Sequence, residues 1–375
     1  MVTSISFSYP DEKFWGSYSE LWHQSTHRSP FQSPTYIRFL ADLYPNDLVI
    51  YQCMRGEQLI GATFFRRDNG TIDFLSEIKS DHNFFTLHSD CTQAELTGFF
   101  RGLMKEVKKN DLSLVLNYQP SWAGYMDAFI SEGKKSGLFW EVSNHSVCPA
   151  LDCETPEEVM QRFNKVKNLR YYVNRLKKQQ SAVFEAFSDA EELDKWNEQF
   201  CDCHVKRWED TPTPSKYSDP EMRRFQKGCL EAWAKEGLLC RFSVRVGEER
   251  IAFNMALRQG NDLVGHSQAY DPEFSKYSPG KAIMYFIGEW MLEQGISKID
   301  FGKGGESYKY GMTNVDLPLY KIFVSGYGNV PFVLKSKLET TARANPKFIK
   351  IYRGKIKPRL QQAKQWAQTG VKRLF

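Results

Sequence analysis

Residues 300–314, DFGKGGESYKYGMTN, concentrate the groups best suited to chemistry in this chain. Carboxylates, lysines and tyrosines can move protons and stabilise charge that develops during a group transfer. Glycines beside a lysine can also hold a phosphate, or simply turn the chain. The stretch follows a predicted strand and does not lead into a helix, which argues against phosphate binding. We therefore interpret it as a segment in which the chain turns and presents candidate chemical groups.

The stretch Ser278-Pro279-Gly280-Lys281 is better placed for an anion, because it leads directly into a predicted helix. Pro279 fixes the loop, Gly280 lets a ligand approach the backbone closely, and Lys281 adds positive charge. Gly295 ends the helix, and a further strand follows.

The elements around these stretches occur twice. Gly56 and Gly247 mark equivalent turns, and Arg67 and Arg258 repeat the same offset of 191 residues. Each half predicts a hairpin, a third strand, a helix and a further strand. The fold class is therefore α/β (α+β), with a mixed central sheet flanked by helices in each half. The stretch of the first half that corresponds to Ser278–Lys281 lacks glycine and proline, so we expect the second half to bind the ligand.

This order of elements resembles the acyl-CoA-binding core of GNAT acyltransferases. Residues 276–312, KYSPGKAIMYFIGEWMLEQGISKIDFGKGGESYKYGM, resemble the hallmark of the CelD-like and Fem-like proteins, which have two GNAT domains in tandem and are associated with bacterial polysaccharide and cell-wall synthesis. The resemblance spans roughly 154–313, with a looser match in SPFQSPTYIRFL and SDHNFF. It implies a degenerate GNAT-like domain at 1–150, a catalytic one at 151–330, and a basic tail at 331–375.

The resemblance also implies a reaction, the transfer of an acyl group from acyl-CoA, acetyl-CoA included, to the amine of an amino sugar, a saccharide or a lipid-linked cell-envelope precursor. The donor would lie between the third strand and the strand after the helix. The expected donor-binding residues are Ser278, Pro279, Gly280, Lys281, Gln268, Tyr270, Gly302 and Lys303. Arg207, Trp208 and Asp271 are expected to bind the acceptor. We expect no metal.

Lys309 and Tyr308 are the first candidates for catalysis within that reaction. The lysine can stabilise developing charge, and the tyrosine can protonate the leaving group. Glu306, His266 and Asp300 are candidates for proton transfer. Replacing Lys309 by alanine should abolish transfer and leave folding intact. Four of these residues also have a structural alternative. Lys309 could form a salt bridge, and Tyr308 could be a packed ring. His266 could be a core histidine, and Asp300 a structural carboxylate at a strand end.

Charge and cysteine content set further limits. Residues 331–375 hold eight Lys and four Arg against one acid, Glu339, within a chain of net charge +5. Such a tail can attract an anionic membrane surface or nucleic acid, or it can form a solvated helix. Six basic residues without an acid at 165–178 predict a helix with one basic face, which could hold a CoA phosphate, an anionic glycan or tRNA. The eight cysteines contain no CxxC pair and are interpreted as reduced and structural.

Two other functions stay open at this level. Fem relatives take aminoacyl-tRNA as donor, so a ligase that adds an amino acid to a cell-wall precursor is one alternative. A non-catalytic protein that binds glycan or nucleic acid is the other. Without an apolar run of membrane-spanning length or a signal sequence, we expect a cytoplasmic protein that can lie peripherally at the inner membrane face.

Overall fold

The helices and strands are taken from a computed structural model, which describes residues 1–68, 70–77, 80–188, 190–209, 211–212 and 214–345. The elements of the first half are, in chain order, β1 (Val2–Ser6), α1 (Glu12–His23), α2 (Pro34–Leu43), β2 (Leu48–Arg55), β3 (Gln58–Asp68), β4 (Thr71–Phe74), β5 (Thr86–Leu87), α3 (Gln93–Lys109), β6 (Leu114–Pro120), α4 (Met126–Lys135) and β7 (Phe139–Asp152). Those of the second half are α5 (Pro156–Lys165), α6 (Leu169–Gln180), β8 (Val183–Phe187), α7 (Leu193–Trp208), α8 (Pro220–Lys235), β9 (Leu239–Val246), β10 (Glu249–Gln259), β11 (Asp262–Tyr270), α9 (Pro279–Glu293), β12 (Lys298–Asp300), β13 (Val315–Ser325) and α10 (Val330–Ala344).

The strands form one mixed sheet in the order β1-β2-β3-β4-β6-β13-β7-β12-β11-β10-β9-β8, and β5 pairs with β3. The late strand β13 lies between β6 and β7, antiparallel to both. β7 in turn pairs with β12, so the sheet runs without interruption from the first half into the second. The boundary predicted after residue 150 falls within β7 and stays a prediction. The predicted α/β fold, with a mixed sheet flanked by helices, is confirmed.

The predicted repeat is present as equivalent hairpins. β2 pairs with β3, and β9 pairs with β10, in both cases antiparallel. Gly56 and Gly247 turn the two hairpins with the same left-handed φ of 59°, which a side chain would strain. Helix α9 ends before Gly295, whose φ of 69° also fits the prediction.

A cleft opens beside the short strand β12. β11 and β12 are parallel for only three residue pairs, from Asp262–Lys298 to Val264–Asp300, after which β12 ends and β11 continues. The register between β10 and β11 then passes over His266, which is the extra residue of a β-bulge. Bulges bend a strand and redirect its side chains, and they are frequent next to active sites. Here the bulge lies where β11 leaves its neighbour.

The predicted basic helix at 165–178 is two helices instead of one. Helix α5 ends at Lys165, Val166 is extended, and Asn168 has a left-handed φ of 68°, so the chain turns before α6 begins. Leu169, Val173 and Leu176 are buried as their spacing predicts, and the basic side chains of α6 stand on the other faces. Within the described residues, no helix has the length and apolar character needed to cross a bilayer. Residues 346–375 of the predicted tail lie outside the described residues.

Candidate functional site

Two adjoining cavities lie along the cleft between β11 and the segment after β12. The first, with a volume of about 540 Å³, is bordered by Ser278, Gly280 and Lys281 and is called the donor cavity here. The second, of about 400 Å³, is bordered by Gly302, Lys303 and Glu306 and is called the acceptor cavity. The residues that line both are Arg207, Gln268, Met284 and Tyr308. The two cavities therefore meet in the middle of the cleft.

The donor cavity ends at the N-terminus of α9. Ser278 precedes the helix in a left-handed conformation, with φ of 51°, and Pro279 is the buried first residue. In the described part of the chain, the Ser278 hydroxyl makes no capping bond to α9. A serine in this position ordinarily accepts a bond from the second or third N–H of the helix. Pro279 has no N–H, and the N–H groups of Lys281 and Ala282 donate to the Ser278 carbonyl oxygen at 2.9 and 3.1 Å. Among the described residues, the Gly280 N–H is therefore the group of this first turn that is left for an anionic ligand.

Two lysines and a glycine line the same end of the donor cavity. Lys281 and Lys167 line it, and the ammonium of Lys281 lies 5.8 Å from the centre of the Tyr172 ring. A Cβ on Gly280 would come within 3.3 Å of the Tyr270 ring, so a larger residue would narrow the entrance. Lys167 was predicted only as part of the basic stretch at 165–178. Its position in the cavity follows from the turn between α5 and α6.

Lys309 is the most fully bonded of the predicted catalytic residues. Its side chain is only 4% exposed, and its ammonium lies 2.8 Å from a carboxylate oxygen of Glu306. The same ammonium donates hydrogen bonds of 3.0 Å to the carbonyl oxygens of Gly302 and Gly304. These bonds hold residues 302–306 in a closed turn around the ammonium. The geometry gives Lys309 the position of a residue that shapes the cleft wall.

Tyr308 and Glu306 present their side chains to the cleft more openly. Tyr308 is half-exposed at the junction of the two cavities, where partial burial and the nearby Glu306 raise the pKa of its hydroxyl. It therefore carries its proton at neutral pH and can donate it. Glu306 borders the acceptor cavity with 54% of its side chain exposed.

Asp300 lies behind the cleft wall and connects it to the first half. One carboxylate oxygen accepts the Gly302 N–H at 2.7 Å, and the other lies 3.1 Å from Nε2 of His82. His82 is 2% exposed. A Cβ on Gly302, whose φ is 75°, would lie 2.8 Å from the Gly265 carbonyl oxygen. Asp300 thus positions Gly302 by a hydrogen bond, at a site where only glycine fits.

The segment that contains His82 also contributes to the acceptor cavity. Asp81 lines the cavity, with an oxygen 3.5 Å from the ammonium of Lys303. Lys303 also donates to the Ser80 carbonyl at 2.8 Å and lies over the Tyr118 ring. The sequence indicated this segment only as a loose match to SDHNFF and gave none of its residues a role. The contacts join residues more than 180 positions apart, and no local pattern reveals them.

Two of the three residues predicted to bind the acceptor line a cavity, and the third does not. Arg207 lies over the Tyr270 ring at 3.9 Å and lines both cavities, and Trp208 lines the acceptor cavity. Asp271 lies beyond the lining residues, because its carboxylate pairs with Lys206 at 2.9 Å. Tyr270 lines the donor cavity and Gln268 lines both.

His266 and its neighbours complete the acceptor cavity. The bulged His266 borders the cavity, with its ring packed edge-on against Trp233 at 5.0 Å. Asn254 of β10 and His204 of α7 border the same space, and neither was predicted. Asn254 is the one polar residue in the buried stretch 251–257 of β10, and this was the signal that could have found it.

One group among the described residues has the composition of a metal site. Ligand atoms of His82, Cys148 and Asp300 lie within 4.8 Å of one another. Both oxygens of Asp300 already accept hydrogen bonds, and burial raises the pKa of the Cys148 thiol, which favours the protonated form. These contacts describe a hydrogen-bonded junction between the two halves. The prediction that no metal is needed stays a prediction.

Comparison with known proteins adds the family context. Residues 164–310 match the family described as acetyltransferase (GNAT) domain, and this segment is less than half of the chain. FemX resembles the structure with a TM-score of 0.63 at 10% identity, covering 90% of this chain and 100% of its own. L-PGS from Bacillus licheniformis has a TM-score of 0.56 at 12% identity, covering 90% of this chain and 98% of its own. No curated protein matches the sequence.

The matched segment contains α6, α7, the hairpin of β9 and β10, β11, α9 and β12, and it supplies most of the residues that line the two cavities. The fold and the cleft therefore define an acyltransferase. The match to the acetyltransferase (GNAT) domain covers residues 164–310, and the structural likenesses show that FemX and L-PGS share the fold.

Proposed function

We propose that the protein is an N-acyltransferase of the CelD-like and Fem-like branch. It transfers an acyl group from acyl-CoA to the amine of an amino sugar or of a saccharide precursor of the cell envelope, lipid-linked precursors included. The observation that carries the proposal is the junction of the two cavities, because a donor and an acceptor that enter from opposite ends would meet beside Tyr308.

The donor cavity has the features that an acyl-CoA requires. Its volume of about 540 Å³ suits a ligand of drug size or a segment of a longer one. The uncapped N-terminus of α9, together with Lys167 and Lys281, would receive the pyrophosphate. The pantetheine arm would then follow the gap beyond the Val264–Asp300 pair, where β11 leaves β12.

The acceptor cavity combines polar groups with flat aromatic surfaces. Asp81, Asn254 and Gln268 offer carboxylate and amide groups to hydroxyl and amine groups. The rings of His204 and Trp208 lie nearly parallel, 6.0 Å apart, and provide apolar faces beside them. Such a lining is consistent with a saccharide that carries an amine.

The chemical step forms one bond and breaks another. The neutral amine attacks the thioester carbonyl, so that a C–N bond forms, and collapse of the intermediate breaks the C–S bond. The amine loses a proton to a base, for which Glu306 and His266 of the acceptor cavity are the candidates. Tyr308, with its raised pKa, gives a proton to the departing CoA thiolate.

Calorimetric titration with acetyl-CoA and longer acyl-CoA esters tests the donor. Wild-type protein should bind with saturation, and Gly280→Glu should weaken binding at least tenfold, because its carboxylate would stand at the proposed pyrophosphate site. Gly124→Glu is the matched control, since Gly124 is exposed and has open space around its Cα. Equal affinity of all three proteins for acyl-CoA would contradict the proposal.

The aminoacyl-tRNA ligase remains the second candidate, and two observations favour it. The structural likeness to FemX covers 90% of this chain, and Arg175 of α6 donates to the Lys276 carbonyl oxygen at 2.9 Å, two residues before Ser278 of the donor cavity. Titration with charged and uncharged tRNA separates the candidates. Saturable binding of charged tRNA, without binding of any acyl-CoA, would assign the protein to the ligases.

A further inference from the structure

Helix α10 carries apolar side chains on two opposite faces. Phe332 and Ser336 are buried on the face that packs against the sheet. Val330, Leu334 and Leu338 follow one another at four-residue spacing and therefore form a stripe on the opposite face. Their exposed fractions are 55%, 57% and 71%. We call these three residues the α10 stripe.

The α10 stripe stands out from the rest of the described surface. Fourteen large hydrophobic residues are exposed there, and four of them lie within residues 327–338. The fourth is Tyr327, which is 65% exposed just before the helix, with its ring 6.3 Å from that of Phe139. Single exposed apolar residues are ordinary, but a contiguous row indicates an interaction surface.

Positive charge surrounds the α10 stripe. Lys335 and Lys337 are exposed on its two sides. The single acid of the helix, Glu339, is paired with Lys321 at 2.8 Å and with Arg343 at 3.0 Å, so it adds little negative charge. The sequence that follows, 346–375, holds six Lys and three Arg and no acid. The apolar row therefore lies within the most basic part of the chain.

From this arrangement we propose that the α10 stripe binds an anionic membrane surface. An amphipathic helix with Lys on its polar sides lies in the interface of a bilayer, with its apolar residues among the acyl chains and its charges at the headgroups. Tyrosine is enriched at the same depth, which suits Tyr327. Because Phe332 and Ser336 hold α10 on the sheet, the stripe is already oriented outwards and need not refold to bind.

The positive charge around the α10 stripe indicates which kind of partner binds it. A protein partner could cover the three apolar residues, but it would not need the exposed Lys335 and Lys337 beside them or the nine further basic residues in the sequence that follows. Each Lys near an anionic bilayer contributes about 1 kcal/mol, equivalent to about fivefold in affinity. The apolar residues then provide the part of the affinity that salt does not screen.

Flotation of the full chain with unilamellar vesicles tests the proposal. Vesicles of phosphatidylcholine alone are compared with vesicles in which about 30% of the lipid is phosphatidylglycerol. The double variant Leu334→Ser/Leu338→Ser removes most of the α10 stripe, and Lys335→Gln/Lys337→Gln removes its flanking charge. Leu43→Ser/Leu292→Ser is the matched control, since Leu43 and Leu292 are 46% and 39% exposed elsewhere on the surface.

We expect wild type and the control to bind only the anionic vesicles. The leucine variant should lose about tenfold or more in partition, and the lysine variant about 25-fold, more at low salt than at high salt. Absence of wild-type binding to anionic vesicles would overturn the proposal. Undiminished binding of the leucine variant would place the contact in the basic residues alone. A concentration-dependent dimer in ultracentrifugation that the leucine variant dissolves, without vesicle binding, would show that a second copy covers the stripe.

Discussion

Replacing Lys309 by methionine should destabilise the fold as well as impair transfer. Methionine keeps the apolar stem but removes the ammonium that donates to the Gly302 and Gly304 carbonyl oxygens at 3.0 Å each. A buried acceptor that loses its partner costs about 1–3 kcal/mol. The ion pair with Glu306 adds little, because that carboxylate is 54% exposed. We expect the free energy of unfolding to fall by about 3 kcal/mol.

Urea denaturation followed by tryptophan fluorescence measures this change, provided that the slope with denaturant stays that of the wild type. Lys281→Met is the matched control, because Lys281 is exposed and, among the described residues, its ammonium interacts only with the Tyr172 ring at 5.8 Å. That variant should unfold within about 0.5 kcal/mol of wild type while donor affinity falls.

The outcome separates two roles for Lys309. An unchanged unfolding midpoint with complete loss of transfer would refute the reasoning from the carbonyl contacts and restore a purely chemical role. A loss of stability together with a loss of kcat/KM would identify Lys309 as a positioning residue for the wall at 302–306.

Three further perturbations test other parts of the structure. Gly302→Ala should cost about 1 kcal/mol more in unfolding free energy than Gly247→Ala, because both have left-handed φ but only Gly302 faces a carbonyl oxygen at 2.8 Å. Burial lowers the pKa of His27 to about 4 and of His145 to about 3, below the value of about 6.5 for an unfolded histidine. Stability should therefore fall as the pH drops below about 6.5, by about 2 kcal/mol per histidine at pH 5. Denaturation of a His27→Gln/His145→Gln variant should show a flatter pH profile. Tyr308→Phe should leave the unfolding midpoint unchanged and lower kcat about 10²-fold in a CoA-release assay; full activity would exclude it as the proton donor.

The sequence was most informative where the determinants are local. Helical spacing and a following glycine located α9, and the paired Gly-Glu turns located equivalent hairpins in the two halves. The Ser278–Lys281 stretch could be placed at a helix N-terminus for the same reason. In each case the signal comes from residues within one turn or one hairpin of each other.

Contacts between segments that are distant in the chain could not be predicted from the sequence in the same way. His82 meets Asp300, and Ser80 meets Lys303, only because β7 and β13 bring the first half against the second. The break at Val166–Asn168 was also missed, since apolar spacing continues through it and the left-handed Asn168 has no glycine to mark it. The bonding of Lys309 to backbone carbonyls depends on how the turn closes, which residue types do not specify.

The position of β13 has a consequence for how the chain is made. During synthesis β6 and β7 leave the ribosome early, whereas their shared neighbour at 315–325 follows only after residues 153–314 have been translated. At elongation speeds of about 5–20 residues per second, this interval is on the order of ten seconds. Throughout it, two strand edges are open to wrong partners. A nascent or truncated first half should therefore depend on chaperones, and expression of residues 1–152 alone should yield an aggregating protein.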